Sequence, residues 1–174
     1  MLPLVLAFPL VPALTTAVLP QPMEAPSVVV TVEDRALSAG TQFQGAVDAD
    51  QEVADPPVDS RAHGHVKVVI DDVEDTLRVQ VTVTNLSGPA IGAHLHLGAA
   101  GVNGPIVVDL SSAITQQNAH VVKIHATLRA SAVVGPLATE RDRIGALLAR
   151  LSTSGIYFNV HTQAYPTGEA RGQL

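Results

Sequence analysis

The feature that most constrains the fold is a two-residue alternation of apolar and polar side chains that recurs along the chain. It is clearest in residues 76–84, where Leu77, Val79, Val81 and Val83 alternate with polar residues. Because successive side chains of a β-strand point to opposite faces, this spacing predicts a strand with one buried and one solvated face. Comparable runs predict strands at residues 41–47, 62–70, 93–97, 106–110, 119–130, 156–162 and 168–174. Seven or eight such strands predict a mainly β, antiparallel fold of the Greek-key sandwich or flattened-barrel type.

Two segments break this alternation. In residues 139–151, Ile144, Leu147 and Leu151 recur at helical spacing, and Thr139 is the predicted N-cap. This segment therefore predicts one helix inserted between strands. The polar stretch 111–118 predicts a loop or a single helical turn.

The composition restricts the chemistry that the chain can perform. A net charge of -6, with only ten Lys and Arg residues that are not clustered, argues against nucleic acid or an anionic membrane surface as a partner. The chain has no Cys, which excludes a disulfide, a thiolate nucleophile and a thiolate metal ligand. Motifs for nucleophilic or phosphate chemistry, such as GxSxG or a Walker loop, are absent. A metal would have to be held by imidazole and carboxylate groups.

The first 27 residues are apolar and contain no Lys or Arg. Their length fits the core of an export signal, whereas Pro3, Pro9 and Pro12 weaken a continuous transmembrane helix. We predict an export signal at residues 1–27, with a retained membrane anchor, a protein-docking segment or a disordered tail as the alternatives. Residues 28–40 are predicted to be a linker or a first strand, and residues 41–174 to form the domain. The protein is therefore expected to be periplasmic or extracellular, with membrane association left open.

Histidines supply the candidate site. His94 and His96 are two residues apart, so in a strand both imidazoles share one face while the neighbouring apolar side chains share the other. A sheet can present a metal-binding or proton-handling pair in this way. His63 and His65 form a second pair with the same spacing. They would add ligands if their strand lay beside that of the first pair, and otherwise they are two exposed surface histidines.

Separated motifs give the sequence a family resemblance. The stretch AHLHLGAAGVNGPIVVDL at residues 93–110 is followed by YFNVHT at 157–162 and PTGEARGQL at 166–174. Upstream, QEVADPPV at residues 51–58 is similar to a GAQEVPPV-type segment that Ala54 and Asp55 interrupt. Over residues 41–174 these motifs, in this order, resemble the CHRD (chordin) domain. A more distant similarity, to the Cu/Zn superoxide dismutase fold, rests on the His-x-His strand with a late histidine and arginine.

The resemblance adds His161 to the candidate site, because this residue lies in the NVHT motif and a late-strand histidine meets the His-x-His strand in the dismutase-like arrangement. His94, His96 and His161 would leave one position open on a mononuclear metal ion, for which we predict copper, with zinc as the second choice. In the alternative interpretation, the three rings only hydrogen-bond loop carbonyls and fix the rim of the sheet. A binuclear copper–zinc centre is excluded, because residues 98–105 contain neither His nor Asp where a dismutase has its long zinc-binding loop.

Several charged residues have two interpretations each. Arg171 follows the final turn as the dismutase arginine does, so it would guide anions to the metal, or it would form a salt bridge with Asp109 or Glu169. Asp109 would accept a hydrogen bond from a ligand imidazole, or it would only end a strand. The acidic side chains near the Pro-Pro turn would bind calcium or keep that loop solvated; they are Glu52, Asp55 and Asp59.

Two functions from different classes fit these features. The first is an exported domain that binds one metal ion, either for copper binding, storage and delivery or for a redox step such as superoxide dismutation. The second is a non-catalytic extracellular or membrane-associated interaction module that docks onto a larger assembly through a face of its sheet or through residues 1–27. Whether the protein is an enzyme stays open at this point.

Overall fold

The computed structural model describes residues 40–174, and of residues 116 and 117 only the backbone. The predicted export or docking segment at residues 1–27, and the predicted linker up to residue 39, lie outside the described residues. The described residues contain nine strands: β1 Thr41–Asp48, β2 His63–Asp71, β3 Thr76–Thr84, β4 Ala90–Leu97, β5 Ile106–Asp109, β6 Ile114–Asn118, β7 Val121–Arg129, β8 Ile156–Thr162 and β9 Ala170–Gln173.

The strands form one antiparallel sheet that curls into a half-barrel, in the order β5-β4-β8-β9-β1-β2-β3-β7-β6. The first three strands are joined as a meander, with β1 paired to β2 and β2 paired to β3. The late strands β8 and β9 lie between β4 and β1, so the chain returns to the middle of the sheet at its end. The prediction of a mainly β, antiparallel, sandwich-like or barrel-like fold is confirmed.

The core is made of the branched residues that the alternation predicted. All four apolar side chains of β3 are at most 1% exposed, namely Leu77, Val79, Val81 and Val83. Val66, Val68 and Ile70 of β2 are buried to the same extent. Burying an aliphatic side chain of this size contributes roughly 1.5–3 kcal/mol, so these two central strands anchor the sheet.

One helix is inserted before β8, as predicted, but it begins later than the sequence suggested. Helix α1 spans Arg143–Leu151, and its N-cap is Asp142, whose carboxylate accepts a hydrogen bond from the backbone N–H of Gly145 at 2.8 Å. Thr139, the predicted N-cap, instead ends a 3-10 helix, Gly135–Thr139, and donates its hydroxyl to the carbonyl of Pro136. The apolar stripe still faces the core, through Ile144, Leu147 and Leu151. Within the described residues, no helix combines the length and apolar character needed to span a bilayer.

The predicted loop at residues 111–118 was only partly right. A 3-10 turn at Ser111–Ala113 is followed by a short strand, β6, which pairs with β7 at the edge of the sheet. An edge strand satisfies its backbone through a single neighbour and can have both faces polar. For this reason the segment lacks the apolar alternation by which the other strands were found.

Candidate metal centre

Strand pairing brings three histidines together on one face of the sheet. In the antiparallel pair β4 and β8, His94 lies opposite Asn159, and His161 lies opposite Gly92. Since side chains alternate along a strand, His94, His96 and His161 all project from the same face. Gly92 leaves room there, because a Cβ atom at this position would lie only 3.3 Å from Cε1 of His94.

The three rings have the spacing of a metal site. One ring nitrogen from each of His94, His96 and His161 lies within 4.8 Å of those of the other two. The closest pair, Nδ1 of His94 and Nε2 of His161, is 3.1 Å apart. Two nitrogens bound tetrahedrally to one zinc ion are roughly 3.3 Å apart, so little adjustment is needed. No other group of three or more His, Asp or Glu side chains in residues 40–174 could hold a metal ion.

Two of the rings are held by backbone carbonyls. Nδ1 of His96 donates to the carbonyl of Gly104 at 2.9 Å, and Nδ1 of His161 donates to the carbonyl of Pro166 at 3.0 Å. Because a carbonyl can only accept, both rings carry their proton on Nδ1, which leaves the lone pair on Nε2. Nε2 of His96 is buried and has no hydrogen-bond partner. An unpaired buried lone pair of this kind is costly, and a metal cation would satisfy it.

His94 has the opposite orientation. Its Nδ1 faces His161, and its Nε2 lies 3.5 Å from the hydroxyl of Ser111 and 3.7 Å from a carboxylate oxygen of Asp109. If Nδ1 is to offer its lone pair to a metal, the proton must lie on Nε2, where the carboxylate favours it. Asp109 is the last residue of β5 and lies opposite His94 in the register. This position is compatible with both predicted roles, as the hydrogen-bond acceptor for a ligand imidazole and as the end of a strand.

We expect Asp109→Ala to weaken the affinity of the histidine cluster for Cu²⁺ by about tenfold, the low end of what carboxylate partners of ligand imidazoles contribute, because its side chain is 64% exposed. Isothermal titration with Cu²⁺ measures this change directly. Asp72→Ala, which removes an exposed carboxylate from the hairpin between β2 and β3, is the matched control. Equal affinities for both variants and the wild type would show that Asp109 does not orient His94.

The electrostatic surroundings keep the rings neutral. Burial is the main cause that lowers the pKa of His94, His96 and His161 below the ordinary value of 6.5. The proximity of the rings to one another lowers the pKa of His94 and of His96 further, and Arg171 adds to the effect at His96. A metal ion binds only unprotonated imidazole, so at pH 7 the cluster is in the form that a metal requires.

A buried arginine supports His96 from the side. The guanidinium of Arg171 stacks on the ring of Tyr157, with Cζ 3.4 Å from the ring centroid, and the Tyr157 ring stacks on His96 at 4.8 Å. Arg171 also donates to the carbonyl of Ala99 at 2.8 Å and to that of Val102 at 3.1 Å. Both carbonyls belong to the loop that also contains Gly104, whose carbonyl accepts from His96. Arg171 therefore fixes this loop and, through Tyr157, the ring of His96.

This environment does not fit the predicted anion-guiding role of Arg171. The residue is 1% exposed, and its N–H groups are directed to two loop carbonyls and to Oε1 of Gln173. The alternative, a salt bridge to Asp109 or Glu169, is not formed either. Glu169 instead accepts hydrogen bonds from Ser60, Ser87 and Thr162. Sequence patterns gave no signal for a buried cation whose partners are carbonyls and an aromatic ring.

His63 and His65 are placed away from the cluster. Their strand, β2, is separated from β4 by β8, β9 and β1. The two histidines would have been extra ligands only if β2 lay beside β4, and it does not. Both residues are exposed, and the ring of His63 lies within hydrogen-bonding distance of the Arg61 carbonyl and the Thr84 hydroxyl. The interpretation as exposed surface histidines is the one that this geometry favours.

The acidic loop residues do not gather into a calcium site. Glu52, Asp55 and Asp59 are not among the groups in the described chain that could hold a metal ion. Glu52 turns toward the sheet and accepts a hydrogen bond from the side chain of Asn159. The sequence analysis did not single out Asn159 or Tyr157, although they lie two and four residues before His161 on the same strand and therefore share its face.

Comparison with known proteins gives one match. The family model described as the CHRD domain matches residues 43–174. No curated protein and no solved structure matches the chain. The resemblance inferred from the motifs is thereby confirmed, while the more distant similarity to superoxide dismutase stays a prediction.

Proposed function

The chain belongs to the CHRD domain family, and we propose that its domain binds a single copper ion through His94, His96 and His161. The observation that carries this proposal is the buried, unpartnered Nε2 of His96 beside two further imidazoles, whose ring nitrogens, Nδ1 of His94 and Nε2 of His161, lie 3.1 Å apart. Gly104 and Pro166 hold the outer nitrogens of two rings, and such carbonyl contacts are typical of imidazoles that bind metals.

The chemistry of the ligand set favours copper over zinc. Three neutral imidazoles suit both metals, but divalent copper binds nitrogen ligands more tightly than zinc does. Three protein ligands leave a coordination position open, which permits either transfer of the ion to a partner or a one-electron step with a small oxidant. Binding and delivery of copper, or redox protection, are therefore the proposed roles. CHRD domains are typically extracellular or periplasmic, and we propose that this one is exported.

The decisive measurement is the copper content of the protein after loading and removal of excess metal. We expect about one Cu²⁺ per wild-type chain and a loss of most of it in the His94→Ala/His96→Ala variant, because two of three ligands are gone. His125→Ala is the matched control, since this histidine is exposed on β7 and should leave the copper content unchanged. Equal copper in the wild type and the double variant, or none in either, would contradict the proposal.

A further inference from the structure

A pocket of about 450 Å³ opens beside the histidine cluster. Its lining includes the rings of His96, His161 and Tyr157 together with the side chains of Glu52 and Asn159. The same pocket therefore exposes two of the three candidate metal ligands and a carboxyl group to one bound molecule.

Asn159 and Gly168 hold the carboxyl group of Glu52. Asn159 is only 4% exposed, and its Nδ2 donates to Oε1 of Glu52. Gly168, at a φ of +136, passes so close that a Cβ atom there would lie 3.0 Å from Oε2 of Glu52. The amide oxygen of Asn159 is buried and has no partner. A ligand in the pocket would thus meet two neighbouring acceptors, one a carboxylate and one an amide oxygen that needs a donor.

The charge of the pocket restricts what can bind. Its lining contains the carboxyl groups of Glu52 and Asp55 and, within residues 40–174, neither Lys nor Arg. The nearby cation, Arg171, directs its N–H groups to loop carbonyls and Gln173. An anionic ligand would be repelled by the carboxylates, whereas an uncharged hydroxyl compound would find acceptors for its protons.

We propose that this pocket binds a small uncharged hydroxyl compound and that Glu52 accepts the hydroxyl proton while the oxygen faces the histidine cluster. In this step the O–H bond of the ligand breaks, its electron pair stays on the oxygen, and a new O–H bond forms on the carboxylate of Glu52. No oxidant or reductant takes part. The inference rests on the proposed function, since the positive charge of a metal ion held by the cluster would stabilise the oxygen anion.

The surroundings of Glu52 suit a proton acceptor. Burial raises the pKa of Glu52 to about 7, against the opposing charge of Arg171. The other titratable groups that line the pocket with it are Asp55, His96, Tyr157 and His161. A carboxyl group with a pKa near the working pH can both take up and return a proton efficiently.

Acetohydroxamic acid is a suitable probe, because it is uncharged and must lose its hydroxyl proton when its oxygen binds a metal ion. Its binding to the Zn²⁺-loaded full chain is measured by calorimetry at pH 8, where most of Glu52 is ionised because its pKa is about 7. Buffers of different ionisation enthalpy then give the number of protons released to the buffer. We expect nearly no release from the wild type, because Glu52 takes up the proton. The Glu52→Gln variant, in which no carboxylate is available, should release about one proton per ligand.

Asp55→Asn is the matched control, since it removes the other carboxylate of the pocket and should behave like the wild type. Release of a full proton by the wild type would overturn the role of Glu52, and this outcome needs no variant. A zinc-loaded protein that does not bind the hydroxamate, or that binds acetate more tightly, would overturn the assignment of the pocket. Failure of the chain to bind either Cu²⁺ or Zn²⁺ would instead defeat the proposed metal function on which the inference rests.

Discussion

Replacing Arg171 with leucine is expected to lower the free energy of unfolding by about 3–5 kcal/mol, because two buried carbonyls would each lose a hydrogen bond from a charged donor, worth roughly 1.5–3 kcal/mol. The guanidinium is 1% exposed and donates to the carbonyls of Ala99 and Val102. Leucine would leave both carbonyls without this donor and would remove the cation that stacks on Tyr157. Chemical denaturation of the metal-free protein measures the loss, and the midpoint of thermal unfolding should fall by roughly 10 °C.

Two further variants make this result specific. Arg171→Lys keeps the positive charge but lacks the planar fork, so it should recover only a minor part of the lost stability. Arg78→Leu, on the exposed face of β3, is the matched control and should change the free energy of unfolding by less than about 0.5 kcal/mol. If Arg171→Leu were as stable as Arg78→Leu, the stack of Arg171, Tyr157 and His96 would not hold the loop.

The sequence was enough to predict that His94 and His96 share one face, but its local patterns could not predict that His161 lies beside them. That His94 and His96 share a face follows from their spacing alone, because alternation is a property of any strand. The arrival of His161 beside them depends on the pairing of β4 with β8, which are about sixty residues apart in the chain. No local pattern encodes that pairing, and only the family resemblance indicated it.

The structure differs from the sequence-based expectations at the N-cap of α1 and at Arg171, for two different physical reasons. Thr139 and Asp142 are both good N-cap residues, and the 3-10 helix containing Pro136 takes up the first of them before α1 begins. Arg171 was expected to guide anions or to form a salt bridge, yet its guanidinium is buried, donates to loop carbonyls and stacks on Tyr157. The adjacent 3-10 helix therefore decided the start of α1, whereas tertiary contacts decided the position of Arg171.

The affinity of the cluster for Cu²⁺ is expected to fall steeply in acid. Burial lowers the pKa of all three imidazoles below 6.5, so the affinity should be nearly constant above that pH. Below it, protons compete with the metal, and the affinity should fall by up to about 10³ per pH unit once all three rings are protonated in the metal-free form. Competition with a chelator of known pH dependence measures this. An affinity that stays constant from pH 7 down to the most acidic pH at which the metal-free domain is still folded would show that the ligands are not imidazoles.

The metal-free protein should show the same titration as a change in stability, although two groups of opposite sign contribute. For the histidines the folded-state pKa is lowered, so their stabilising contribution is complete above pH 6.5 and is lost as the pH falls through the folded values. For Glu52 the folded pKa is raised to about 7, so its contribution is complete below pH 4.5 and is lost as the pH rises.

The total curve therefore mixes both effects. The difference in the free energy of unfolding between wild type and His96→Gln, measured by urea denaturation at each pH, isolates the contribution of His96. As the pH falls below 6.5, the wild type should lose stability relative to the variant. A difference independent of pH would mean that His96 is not buried in its neutral form.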